Sequence, residues 1–242
     1  MSKEAMMSTP TFVLVHGAWH GGWSWKELLP VLRAAGVDAY APTQSGCGDR
    51  SRQISPDVTL TTHIEDTLSF LYYEDLTNVV LVGHSYGGFV ISGVIERARE
   101  RIRHAIWLDA FVPDHGESIA SLNPDVPLAE IAASTGEGYR VPCIMPDTDF
   151  GMSDPIELAW TKARLTDQPL GTFLESITID PGNWTNVRKS YILTSPERFP
   201  VHAERARSRG YTVIERTTWW HNSMATHPHE LAEIMLSLTA DG

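Results

Sequence analysis

The stretch Gly83-His84-Ser85-Tyr86-Gly87 sets a serine between two glycines, directly after the apolar run Val79–Val82 and directly before a helix-like pattern. A serine hydroxyl is a weak nucleophile until a neighbouring base takes its proton. G-x-S-x-G between a strand and a helix is the pattern that exposes such a hydroxyl on a sharp turn. Small neighbours are required because side chains two positions away would collide with the incoming strand and helix, and Gly88 closes the approach further. The helix N-terminus behind Ser85 adds positive potential where an oxyanion would develop. The expected chemistry is acyl transfer with Ser85 as nucleophile.

Acyl transfer also needs backbone donors and a base. One oxyanion N–H is expected from the residue after the nucleophile, Tyr86, and the other from the loop after the first strand. That loop lies in FVLVHGAWHGGWSW, where Gly17, Gly21 and Gly22 let the backbone pass close to a ligand. Ala18 is the expected donor and Trp19 the near alternative. His16 and His20 raise a metal reading, but no acidic ligand neighbours them and there is no H-E-x-x-H, so no metal or other cofactor is expected. Of the 10 histidines, His221 stands directly after YTVIERTTWW, where the last strand ends. It is the expected general base, taking the Ser85 proton and returning it to the leaving group. His227 and His229 flank Pro228 and read as solvated or capping residues.

These residues need a scaffold, and the pattern supplies one. Phe12–Val15, Val37–Ala41, Val79–Val82, Ala105–Leu108, Tyr191–Thr194 and Tyr211–Ile214 read as strands. Between them Trp25–Ala35 reads as a helix stopped by Gly36. Thr62-His63-Ile64-Glu65 fits a capping box ahead of an apolar face of Ile64, Leu68 and Leu71. Val90, Ile91, Val94, Ile95 and Ala98 form the inner face of a third helix, and Val201–Arg209 and Pro228–Leu238 supply two more. Strand–helix alternation with nearly all-apolar strands predicts an α/β fold with a mostly parallel sheet of about six strands, covered on both faces. The rhythm breaks at about 114–182, where seven prolines interrupt short helical pieces. There a small helical lid is expected, over the strand ends where open sheets bind ligands. The reading is a flexible N-terminus over 1–10 and a single domain over 11–242.

The bulk numbers narrow the partners. A formal charge of −11 argues against nucleic acid and anionic membrane surfaces, both of which call for basic patches. The start MSKEAMMSTP has no apolar h-region, and no apolar run approaches the ~20 residues that span a bilayer. A cytoplasmic protein is expected. Cys47 and Cys143 lack C-x-x-C spacing and read as idle thiols. Oligomeric state stays open, a homodimer included.

HGAWHGGW, GHSYGG, WLDAFVP and the tail WWHNSMATHPHELAEIM together resemble small α/β-hydrolases, the bacterial esterases related to plant methyl esterases and hydroxynitrile lyases. The likeness runs over about residues 11 to 240 and is weakest through the expected lid. It implies the α/β-hydrolase fold and a Ser–His–acid triad. In the plant relatives the acid follows the penultimate strand, but SYILTSPERFP has no aspartate there and only Glu197 could substitute. One strand earlier, AIWLDAFVP offers Asp109 at a carboxyl end where the plant relatives usually carry a small residue. Haloalkane dehalogenases include members whose acid sits at that alternative strand end. Asp109 is therefore the expected acid, with Glu197 and then Asp114 as alternatives.

The resemblance also frames the substrate. Some relatives hydrolyse aromatic methyl carbamates such as benzimidazole fungicides. Hydroxynitrile lyases of the group carry a lysine after the histidine, whereas this chain reads Trp220-His221-Asn222, which speaks against lyase chemistry. Trp19, His20, Trp160 and Trp220 are the candidate substrate-binding residues, with Tyr86 and Trp184 in segments that could also line a cavity. Aromatics in such places serve packing equally well. The leading expectation is a serine hydrolase of a small, aromatic or hydrophobic carboxylic ester. A carbamate or amide hydrolase using the same triad is the alternative, ahead of a lyase or a non-catalytic binding module.

Overall fold

The computed structural model describes residues 10–195 and 197–240, so the expected N-terminal segment 1–10 lies outside the described residues except for Pro10. In chain order the strands are β1 (Thr11–Val15), β2 (Ala39–Tyr40), β3 (Val79–His84), β4 (Ile102–Leu108), β5 (Arg140–Val141), β6 (Gln168–Pro169), β7 (Arg188–Leu193) and β8 (Thr212–Glu215). The α-helices are α1 (Leu28–Ala34), α2 (Leu60–Tyr73), α3 (Gly87–Ala98), α4 (Ile119–Leu122), α5 (Leu128–Ser134), α6 (Pro155–Lys162), α7 (Gly171–Leu174), α8 (Pro200–Ser208), α9 (Ser223–Thr226) and α10 (Pro228–Ala240).

Six strands form one sheet in the order β2-β1-β3-β4-β7-β8, and every pairing in it is parallel. This is the parallel, two-face sheet that the strand–helix alternation implied, in the α/β-hydrolase form that the resemblance implied. Because strand side chains alternate between faces, one set packs each way. Val13, Leu81, Trp107 and Tyr191 join Ile64, Val90, Val94 and Ala203 on one side. Phe12, Leu14, Val80, Ile106 and Ile192 join Leu28, Leu32, Leu231 and Met235 on the other. Burial on both faces is why β3 reads as an unbroken apolar run rather than an alternating one. The strand order reverses at β1, with β2 on one side and β3 on the other. The crevice beyond the carboxyl ends of β1 and β3 is thus a topological switch point, the place where such sheets bind ligands.

Some boundaries differ from the sequence reading. The strand expected over Val37–Ala41 is only Ala39–Tyr40, since this edge strand pairs on one side alone. Helix α2 starts at Leu60, ahead of the expected capping box. Its extended N-cap Thr59 donates its N–H to Thr62 Oγ1 at 3.1 Å. Glu65 instead pairs with Arg97 across the α2–α3 face. Between β4 and β7 the chain runs through α4 to α7 and the small antiparallel β5–β6 pair. No helix among the described residues is long and apolar enough to cross a membrane.

Candidate active site

Ser85 follows the last residue of β3 with φ +54°, a left-handed conformation uncommon outside glycine. Its N–H donates to Leu108 O at 3.2 Å, and its carbonyl accepts from Gly88 N at 3.0 Å and Phe111 N at 3.2 Å. The turn is thereby tied to the end of β4. Glycine is obligatory around it. A Cβ on Gly83 would lie 2.5 Å from Gly87 O, one on Gly87 2.8 Å from Val15 O, and one on Gly88 2.1 Å from Phe111 O.

Three further non-glycine residues with positive φ stand beyond other strand ends of the same sheet: Trp19 after β1 (+65°), Asp109 after β4 (+42°) and Trp220 after β8 (+61°). Strain of this kind persists only where surrounding structure holds it, and it concentrates at working sites.

Asp109 and His221, 112 residues apart, meet through a 2.7 Å bond from His221 Nδ1 to Asp109 Oδ2. Asp109 is fully buried, and three more donors converge on it: Thr194 N at 2.9 Å, Ser195 N at 2.9 Å and Ser195 Oγ at 2.6 Å. Burial raises its carboxyl to about 6, and the Ser195 hydroxyl with the two backbone N–H groups holds it from rising further. Burial also drives His221 well below the ordinary imidazole range, with Arg198 adding to the effect. At neutral pH the pair is therefore a carboxylate and a neutral imidazole. Since Nδ1 carries the proton donated to Asp109, Nε2 is left as a proton acceptor.

The loop that carries His221 is fixed from several sides. The His221 carbonyl accepts from His84 Nε2 at 3.0 Å, linking it to the residue immediately before Ser85. The His221 N–H donates to Asp149 O at 3.3 Å, and the Phe199 ring stacks on the imidazole at 5.3 Å.

In the loop after β1, the Trp19 N–H is committed to Gln168 Oε1 at 3.0 Å and the His20 N–H to Gly17 O at 3.4 Å. Among the described residues, Ala18 is then the one of this trio whose N–H has no such partner. Tyr86, the residue after Ser85, is anchored through its hydroxyl, which donates to His63 Nδ1 at 3.1 Å. Ser85 opens onto a cavity of about 230 Å³ whose wall includes Ala18, Trp19, Tyr86, Phe111 and Phe173. Helices α4 and α5 add Ile119 and Leu128, and among the described residues Arg198 is the one cation in the lining.

Not every predicted residue gathers here. Trp220 lines a neighbouring cavity with His221, Ser195 and Glu197. His20 is buried and donates Nδ1 to Ala18 O at 2.7 Å, so it braces the loop rather than facing the Ser85 cavity. Trp160 lines a separate cavity with Trp23, and Trp184 is core, stacked on Trp107 with its Nε1 donating to Glu96. Asp114 pairs with Arg209 and Arg205 on the surface. Glu197 is exposed. Ser195, His84 and Arg198 went unremarked in the sequence. A hydroxyl beside the strand end searched for an acid was the one available signal. Among the described residues no cluster of His, Cys, Asp and Glu could hold a metal ion, and Cys47 and Cys143 are free thiols.

Residues 12–234 match the model of the Alpha/beta hydrolase family. A carbendazim hydrolyzing esterase of Nocardioides sp. (strain SG-4G) is 35% identical over 240 residues, covering 94% of this chain and 98% of the relative. Methylesterase 10 of Arabidopsis thaliana is 27% identical over 262 residues, covering 95% of this chain and 91% of the relative. Among solved structures, an extracellular alpha/beta-hydrolase from a Paenibacillus species superposes with a TM-score of 0.80 at 23% identity, covering 96% of this chain and 100% of that one. The matches agree with the likeness carried by HGAWHGGW and GHSYGG.

Proposed function

The chain belongs to the alpha/beta hydrolase family and is a carboxylic ester hydrolase, and from that premise we propose a Ser85–His221–Asp109 triad acting on a small, apolar or aromatic ester. One observation carries the reading. A buried carboxylate, satisfied by four donors, holds the Nδ1 of an imidazole whose backbone is bonded to the residue beside Ser85.

His221 Nε2 takes the Ser85 proton as the oxygen attacks the ester carbonyl. Asp109 keeps the tautomer and stabilises the imidazolium that forms. The oxyanion is held by the N–H groups of Ala18 and Tyr86, with the helix α3 N-terminus behind them. The same imidazole returns the proton to the departing alcohol, and water then attacks the acyl-enzyme by the reverse relay. The mostly apolar wall favours an uncharged acyl group of modest size, with Trp19 against it. Residues 114–182 serve as the lid of a single domain, since Ile119, Val126, Leu128, Met145 and Phe173 all contribute to that wall.

The Nocardioides relative named for carbendazim hydrolysis supports a second reading, in which the scissile group is a carbamate and the same triad works on it. A fluorophosphonate probe tests the nucleophile: wild type is expected to be labelled and Ser85→Ala not. Labelling that survives in Ser85→Ala removes the assignment. A matched panel of aryl and alkyl methyl esters and methyl carbamates then separates the two readings by kcat/KM.

A further inference from the structure

Residue 19, next to the Ala18 N–H, is held by the lid. Trp19 takes φ +65°, a left-handed conformation that persists in a non-glycine residue only where its surroundings hold it. Those surroundings come from residues 114–182. The Trp19 N–H donates to Gln168 Oε1 at 3.0 Å, its indole Nε1 donates to Val141 O at 2.9 Å, and its carbonyl accepts from Thr166 N at 2.9 Å. On α7, the Phe173 ring packs edge to face against both Trp19, at 5.8 Å, and Tyr86, at 5.9 Å. A lid that only covered a substrate would not need to meet every polar group of one strand-end residue.

Gln168, on β6, is fully buried, and its amide has one way round. Thr172 Oγ1 donates to Pro169 O at 2.7 Å and is left to accept from Gln168 Nε2 at 2.8 Å. The oxygen end is therefore the one that meets the Trp19 N–H. Peptide planarity carries that contact to Ala18. The Ala18–Trp19 peptide is pinned at both ends, by Gln168 at its N–H and by His20 Nδ1, which donates to Ala18 O at 2.7 Å. The preceding peptide is pinned at its carbonyl, since Gly17 O accepts from His16 Nδ1 at 2.8 Å and from His20 N at 3.4 Å. A trans peptide points its N–H opposite to its C=O, so the Ala18 N–H is turned away from those donors, and Ala18 lines the Ser85 cavity.

On the reading of Ala18 as an oxyanion donor, we propose that Gln168 is a positioning residue for the oxyanion hole, holding the Ala18–Trp19 peptide so that the Ala18 N–H meets the developing negative charge. Gln168 also takes the Trp19 N–H out of competition for that charge. Without an acceptor there, a buried N–H is left unsatisfied, and turning the peptide to find one moves Ala18 with it. The motion displaces a donor that must lie about 2.7–3.1 Å from the oxyanion, while the apolar wall that holds the ground-state ester stays in place. The loss therefore falls on the transition state.

Gln168→Met removes the acceptor at similar volume. Gln168→Glu keeps it, because a carboxyl buried there is protonated and offers its O–H to Thr172. The kcat of Gln168→Met is expected to fall about 10- to 100-fold, part of the roughly 10²–10³-fold that loss of a whole oxyanion donor costs, with KM within about threefold. An aryl trifluoromethyl ketone, which forms a tetrahedral oxyanion on Ser85, should lose affinity by the same factor, and the matching aryl carboxamide, a planar ground-state mimic, should not. Gln168→Glu should regain most of the lost kcat. Hydrogen exchange of the Trp19 amide, read by NMR on the full chain, should quicken by roughly tenfold or more in Gln168→Met alone. Wild-type exchange in Gln168→Met overturns the clamp. Faster exchange with wild-type kcat, equal weakening of ketone and carboxamide, or a folded Gln168→Glu no better than Gln168→Met overturns the positioning role. Should Gln168→Met fail to fold, Thr172→Val, which frees the amide without removing it, must show the same kcat-selective loss at several-fold, and wild-type kcat there overturns the proposal. Turnover that survives in Ser85→Ala sinks the triad reading, and the exchange readout still decides the clamp.

Discussion

At the carboxyl end of β4, Asp109 is wholly buried and accepts four hydrogen bonds, whereas beyond the end of β7, the next strand in the sheet, Glu197 lies exposed at a cavity mouth. A carboxylate removed from water is tolerable only if its lone pairs are met by donors. The β7 end supplies them, through Thr194 N, Ser195 N and Ser195 Oγ. Neighbouring strand ends have thus divided one task, with β4 providing the charge and β7 its solvation. An exposed glutamate close by is solvated by water, which screens its field.

The most severe way to break this contrast is Asp109→Asn. The amide keeps the shape but offers Nδ1 no full charge and permits the wrong imidazole tautomer, so kcat should fall by about 10³–10⁴-fold. Circular dichroism and the thermal midpoint should change little. Near-wild-type turnover in Asp109→Asn would falsify the assignment of the acid.

The contrast also has an electrostatic side. Asp109 is the one fully buried carboxylate among the described residues, and the other buried titratable groups around the sheet are largely histidines. Burial lowers His16 to about 3 and His20, His63, His104 and His202 each to about 4. A depressed folded-state value means that stability is present above ~6.5 and lost as pH falls, at about 1.4 kcal/mol per group per pH unit. Asp109 opposes this modestly, since a raised folded-state value favours proton uptake by the native form. Several histidines acting together exhaust a typical 5–15 kcal/mol of stability within roughly two pH units. The thermal midpoint should accordingly fall steeply between pH 6 and 4, which a pH series of melting curves checks. A flat midpoint across that range would mean that these rings do not stay neutral in the fold.

Ser195→Ala sharpens the comparison, because it removes part of the solvation and leaves the charge. A hydrogen bond to a charged group is worth about 1.5–3 kcal/mol, so turnover should drop roughly 10- to 100-fold at neutral pH. The sign on pH follows from what the hydroxyl does. It holds the Asp109 carboxyl down, so its loss lets the carboxyl rise above about 6. The acid limb of kcat/KM should move to higher pH, with activity partly regained as pH is raised. A loss of equal depth at every pH would point to mere disruption of packing.

Much of this was legible in the sequence. Strand–helix alternation and apolar strands identified a two-face parallel sheet, and G-x-S-x-G is a local pattern whose glycines answer to contacts a few residues away. His221 stands out in the sequence because it follows the last strand. The Asp109–His221 pairing spans 112 residues and is invisible to periodicity, so Asp109 is singled out in the sequence only by likeness to known proteins. Trp160 shows the opposite failure. An aromatic on a short helix carries no sign of which cavity it faces, and α6 turns it toward Trp23 rather than toward Ser85. Ser195 escaped notice because a serine that solvates a carboxylate looks like any loop serine until two strand ends are brought side by side.

The smallest expected effect is the most discriminating. Glu197 lines the same cavity as His221, so a long-range role for its charge is the serious rival to Asp109. Glu197→Gln removes that charge with little change in shape. If solvent screening governs this exposed site, kcat and KM both stay within about twofold of wild type, and the pH profile does not move. If the glutamate shared the work of polarising the imidazole, the acid limb would shift and Asp109→Asn would retain a residue of activity that the double variant loses. Comparing the two single variants with the double one separates these cases, because groups acting as one unit are non-additive and independent ones are not.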